Sequence, residues 1–206
     1  MANISFDPFK TQGNFGGGFN VSSNGLVQGD AQDDPAIQLL LRQGLLDASV
    51  TTAVYGGMGV MECVPTEDNS VCGSNIKNAS ATICNAFLVN NRAYHGIITP
   101  NNQVPMFPAG SSVHYYAIGS KARIPLPVSA AVAALATGSV DSGNESQGFV
   151  WNLTTKKIDV YSSATSANPK VPVRLLKISN SGNLVVSVDA SGNASWVDQP
   201  CGLFEI

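Results

Sequence analysis

Apolar residues in this chain fall mostly in short runs broken by Gly, Asn, Ser and Pro, and one stretch departs from that rhythm. From Asp33 the sequence reads DDPAIQLLLRQGLLDASV, followed by a Gly-rich turn and the apolar run Val60 to Val64. Asp34 suits a helix cap and Pro35 a first helical position. Ile37, Leu40, Leu41 and Leu45 then recur at helical spacing, which predicts a helix of about two to three turns that Gly44 ends. Asp30, Asp33 and Asp34 favour that helix start through its dipole; the regular alternation and closing Glu of a calcium loop are missing.

Beyond this point the punctuation is β-like. Strands are expected over residues 50–55, 60–64, 82–89, 94–98, 113–118 and 123–128, with a polar loop at 66–80. Pro125 and Pro127 place their strand at an edge or a bend. Residues 130–136 are Ala-rich and stay ambiguous, because propensity favours helix over so short a run only weakly. Trp151, Leu153, Ile158 and Val160 alternate with period two and predict a hairpin. Further strands are expected at 171–178, 184–189 and 194–197, with an apolar closing strand at 201–206. The two near-identical loops between them, 180–183 and 190–193, carry the Asn and Gly that tight hairpin turns need. The expected fold is mainly β: a small β-barrel or β-sandwich built from a meander, with an extended N-terminal arm and one short helix. Residues 1–48 are assigned to the arm and helix, and 49–206 to the β domain.

The arm, residues 1–29, places Phe6, Phe9, Phe15 and Phe19 among Gly, Asn, Gln and Ser. Its glycines exclude a stable helix, at about 1 kcal/mol per helical Gly. Four aromatics in such a segment are exposed apolar surface in solution and anchors on a partner. The arm therefore either folds back on its own domain or docks elsewhere.

Composition sharpens this picture. With 206 residues, 44% of them hydrophobic, the chain can bury one sizeable core. Charged residues make up only 12%, and small polar residues cover the surface instead, a balance common in β-rich shells, adhesins and virion proteins. Net charge is −3 and the 11 Lys+Arg are scattered, which argues against nucleic-acid binding. No apolar run reaches the roughly 18 residues of a membrane span. Met1-Ala-Asn-Ile-Ser lacks the basic and apolar regions of a signal peptide, so synthesis in a cytoplasm is expected.

Candidate chemistry is sparse. Cys63, Cys72, Cys84 and Cys201 form no CxxC pair, and His95 and His114 have no zinc spacing. The thiols read as small buried hydrophobes, and no cofactor or metal is expected. Neither histidine neighbours a nucleophile motif, so the chain is not expected to be an enzyme. Gly56-Gly-Met-Gly59 is not a phosphate loop and reads as a bulge or a site of close backbone packing.

Several segments together carry a resemblance. These are Asp34-Pro35-Ala36 with its helix, Tyr55-Gly-Gly-Met-Gly-Val60, Ala93-Tyr-His-Gly-Ile97, Tyr116-Ala-Ile-Gly-Ser-Lys-Ala-Arg-Ile124 and the terminal Gly-Leu-Phe-Glu-Ile206. In that order the chain resembles the head decoration, or cement, proteins of tailed bacteriophages. The resemblance implies a β-barrel-like subunit without enzymatic activity that binds the major capsid protein on the outside of the virion after synthesis in the host cytoplasm. It also implies a homo-oligomer, with a trimer favoured over a dimer. The expected capsid or subunit contacts are Phe6, Phe9, Phe15 and Phe19, with Ile37, Leu40 and Leu41 as a second set. Two other readings stand beside it. One is a receptor- or glycan-binding β-module of a virion fibre or cell surface, motivated by Asn/Ser/Thr-rich loops with Trp151 and Trp196. The other is a hydrolase using carboxylates such as Glu62.

Overall fold

A computed structural model describes residues 12–15, 18–21, 25–31, 35–65, 73–90, 104–135 and 148–206. Near the N-terminus, β1 (Gln12–Phe15) and β2 (Gly18–Val21) pair as an antiparallel hairpin. Helix α1 (Pro35–Gln38) follows, a single turn. Five strands then close into a barrel: β3 (Arg42–Leu46), β4 (Gly59–Cys63), β5 (Ser74–Asn78), β6 (Ala86–Val89) and β7 (Ser112–Ala117), in the order β3–β5–β4–β6–β7. Alternate residues point inward, as a pleated strand requires. Leu46, Val60, Ile76, Leu88, Val113 and Tyr115 fill the interior. Neighbours pair antiparallel except β3 and β5, which run parallel.

The second half begins with β8 (Arg123–Pro127) and α2 (Ala130–Ala133), the latter capped by the Ser129 hydroxyl. After it come β9 (Phe149–Asn152), β10 (Lys157–Val160), β11 (Lys170–Val171), β12 (Arg174–Ser179), β13 (Val185–Val188), β14 (Ala194–Val197) and β15 (Cys201–Glu205). Sheets β12–β15–β8 and β10–β9–β11 are linked by a bridge between Val128 and Ile158 and share one core with Phe149, Trp151, Leu175 and Phe204. Trp151 meets the barrel's Phe87 edge to face, with ring centroids 5.7 Å apart, so the two halves pack as one body. The β13–β14 hairpin covers the barrel through Val186, Ala194 and Trp196.

A strap, residues 25–29, ties the pieces together. Leu26 is buried with Val185, Cys201 and Leu203. Gln28, 1% exposed, donates from Nε2 to the Gly56 carbonyl (3.0 Å) and accepts from Val186 N at Oε1 (3.0 Å). Asn90 Nδ2 donates to the Gln28 carbonyl (2.8 Å), and Asn90 N to that of Gly29 (2.8 Å). The approach is close: a Cβ on Gly56 would lie 2.1 Å from Asn90 Oδ1. The expected close packing at Gly56-Gly-Met-Gly59 is thus observed, tightest against Asn90 and next against the strap.

Several expectations are corrected. The helix stops at Gln38, and Leu45 belongs to strand β3, because β3 gains two barrel neighbours in place of one helical face. Barrel strand Arg42–Leu46 and the buried strap therefore both lie within residues 1–48, which had been assigned to arm and helix. A second helix, α2, is present. Residues 50–55 form no strand beyond a bridge from Tyr55 to Met106, whereas Ser74–Asn78, inside the expected loop, is a strand. The chain is not a plain meander: loop 180–183 joins no hairpin, since β12 pairs with β15 and β13 with β14. Its Asn183 is a buried hub, donating from Nδ2 to the Ser179 and Gln199 carbonyls and accepting from Leu26 N. The strand expected at 94–98, with His95, lies outside the described residues, as does Cys72.

Candidate interaction surface

Register places the start of β3, the end of β4, the starts of β5 and β6 and the end of β7 at one end of the barrel. Arg42 stands opposite Tyr115, Gly44 opposite Ser74, Cys63 opposite Asn75 and Ala86 opposite Ala117. Three segments at this end turn large apolar side chains to solvent. Leu39, Leu40 and Leu41, just before β3, are 86%, 49% and 40% exposed. Val64, just after β4, is 85% exposed, and Ile83, ahead of β6, is 43% exposed. Asn85 holds the latter two segments together, accepting from Glu62 N at 2.8 Å. Single exposed apolar residues are ordinary, but a cluster at one pole is a signature of association.

Beneath this rim a polar plug closes the barrel. Glu62 shares a strand face with buried Val60, and its Oε1 accepts from Tyr115 Oη (2.6 Å) and Ser74 Oγ (2.8 Å). Arg42 Nη1 donates to both carboxylate oxygens, at 3.1 and 2.9 Å. One carboxylate thus gathers donors from three other strands. Burial pushes the Glu62 carboxyl up, but the Tyr115 and Ser74 hydroxyls and the Arg42 guanidinium outweigh it and hold it below its ordinary value. The Tyr115 phenol is pushed up to about 12 by burial and by its bond to Glu62. A carboxylate held ionised by three donors is a structural tie and a poor proton donor. At the opposite end, hydrogen bonds from Ser49 and Asn75, and the nearby Lys77 ammonium, hold the Asp47 carboxyl far below its usual range. Among the described residues, no group of three or more His, Cys, Asp or Glu is placed to hold a metal.

The sequence candidates separate accordingly. Leu40 and Leu41 lie in the exposed rim; Ile37 is half-buried against the second core. Phe15 closes β1, and Phe19 lies in β2 opposite Asn14. Phe6 and Phe9 lie outside the described residues. Trp151, offered as a glycan platform, is a core residue at 1% exposure, and Trp196 packs on the barrel core. Leu39, Val64 and Ile83 were missed. A helical reading puts Leu39 off the apolar face, and nothing local to Val64 or Ile83 announces that the barrel end leaves them uncovered. No family model, curated protein or solved structure matches this chain. No helix among the described residues is long and apolar enough to cross a membrane.

Proposed function

We propose that this chain is a structural virion protein that binds the outer surface of a tailed-phage capsid and stabilises the shell. The observation that carries this reading is the apolar rim of Leu39, Leu40, Leu41, Val64 and Ile83, gathered at one pole of a closed barrel. In the chain, the rim leucines lie between the strap and β3. A barrel leaves few sheet edges open, so association falls to such a face and to the arm. Phe6, Phe9, Phe15 and Phe19 anchor the arm on capsid protein, and many copies on one lattice gain avidity against internal pressure. The order of features shared with decoration proteins supports the same reading.

The test is sedimentation with expanded empty capsids of the cognate phage. Saturable co-sedimentation is expected, and a protein that stays in the supernatant at every ratio refutes the proposal. Deleting residues 2–24 spares the strap and is expected to abolish binding while leaving the melting temperature nearly unchanged. Undiminished binding by that truncation would move the contact away from the arm.

A further inference from the structure

We infer that the strap, residues 25–29, is a tension anchor: a pull on residues 1–24 enters the fold at Leu26 and is carried at once into the barrel, the β13–β14 hairpin and the β12–β15–β8 sheet. Chain that joins a domain to a terminal segment ordinarily runs over the surface and bonds to water. Here it is buried, with Leu26 3% and Gln28 1% exposed. Its backbone bonds are shared among all three units. Beside β13, Gln28 N donates to the Leu184 carbonyl (2.9 Å) and Leu184 N to the Leu26 carbonyl (2.9 Å). Gly29 N donates to the carbonyl of Pro125 in β8 (2.9 Å). The Gln28 and Gly29 carbonyls both accept from Asn90, just past β6.

Two features suit this arrangement to tension. The first is direction. Val27 pairs with Leu184 in parallel, and the bonds of such a pair lie across the strands. A pull along the strap therefore strains both Leu184 bonds together with the two Gln28 side-chain bonds, whereas a pull at right angles would open them one at a time. Sliding is blocked as well, since a Cβ on Gly29 would lie 2.4 Å from the Gly56 carbonyl carbon. The second is branching. The first bond that a pull meets runs from Leu26 N to Asn183 Oδ1 (2.9 Å), and Asn183 is itself 1% exposed. Its Nδ2 donates to the Ser179 and Gln199 carbonyls and its N to Asp198 Oδ1 (3.0 Å). Force reaching Asn183 thus divides between β12 and the segment that leads into β15. An arm held on a shell passes outward force through this root into a body that stays folded.

The inference rests on the reading of the arm as held by a shell, but its test uses the free protein. Amide hydrogen exchange on the full chain asks whether the strap opens by itself. The amides of Leu26, Gln28 and Gly29 are expected to exchange within about tenfold of Leu88 N in the barrel and Ile206 N after β15, as parts of one cooperative unit. Gln28→Ala should speed strap and core amides by the same factor. Strap amides that exchange more than about tenfold faster than the core, or that alone respond to the substitution, overturn the inference. Should the variant misfold, single-molecule pulling on the wild type decides, between residue 2 and a clickable residue replacing Ser191 in the exposed turn of the β13–β14 hairpin. The strap is expected to hold until the barrel gives way. A separate earlier step of up to about 60 Å, the length of residues 25–41 set free, refutes the anchor. A chain that binds capsids with a strap that peels removes only the anchor. A strap that holds in a chain that ignores capsids removes only the shell function.

Discussion

Replacing Gln28 by Ala is expected to destabilise the fold by about 3–5 kcal/mol, although this residue lies outside every sheet. Its side chain is fully enclosed and makes two hydrogen bonds, donating to the Gly56 carbonyl at 3.0 Å and accepting from Val186 N at 3.0 Å. Alanine leaves the buried Gly56 carbonyl without that donor, at about 1–3 kcal/mol, and strips Val186 N of its acceptor at a similar or smaller cost. The lost side-chain volume adds a cavity where strap, barrel and β13 meet, at roughly a further 1 kcal/mol. Gln28→Leu separates these contributions, since it refills most of the volume and restores neither bond; about 2–3 kcal/mol is expected. Urea unfolding followed by Trp fluorescence measures both. With a slope of about 2–3 kcal/mol/M for a chain of this size, the Ala midpoint should fall by about 1.5 M at unchanged slope. A Leu variant as stable as the wild type would refute the argument, because it would show that the strap is held by shape alone.

Two further outcomes follow from the titratable groups. Glu62→Gln is expected to lower the melting temperature at pH 7 by about 2–4 °C, the effect of roughly 1 kcal/mol in a chain of this size. Since the folded Glu62 carboxyl lies below its ordinary value of 4.5, its stabilisation is complete above that pH and is lost as pH falls through the folded value. The gap between wild type and variant should therefore close on acidification, and melts from pH 7 to pH 3 that keep a constant gap would contradict this. Burial pushes the Cys84 thiol up to about 12 and the Cys201 thiol still higher. Both should resist an aromatic disulfide reagent in the native protein and react on unfolding, whereas prompt labelling of either at pH 8 would show that the core opens readily.

Local pattern determined much of this molecule. Period-two alternation in Trp151 to Val160 set the β9–β10 hairpin, with Ile158 opposite Trp151. Asn and Gly in loop 190–193 set the turn between β13 and β14, and Pro125 and Pro127 fit a strand whose only full partner among the described residues is β15. The mainly β class and the bounds of many strands were legible in this way, because each depends on residues within a few positions of one another. Tertiary structure decided the rest. Ser74–Asn78 reads as polar loop because only Ile76 faces the core, and it becomes a strand by pairing with β3 and β4. Residues 39–46 hold apolar spacing for a helix, yet barrel closure takes Arg42–Leu46 into a strand and leaves Leu39 in solvent. The same closure brings Arg42, Glu62, Ser74 and Tyr115 together from four strands and sets Val64 and Ile83 at the same end of the barrel as the leucines. A contact between residues tens of positions apart has no local signature. It is specified by how strands choose partners, and that choice minimises uncovered apolar surface and unpaired backbone over the whole chain at once.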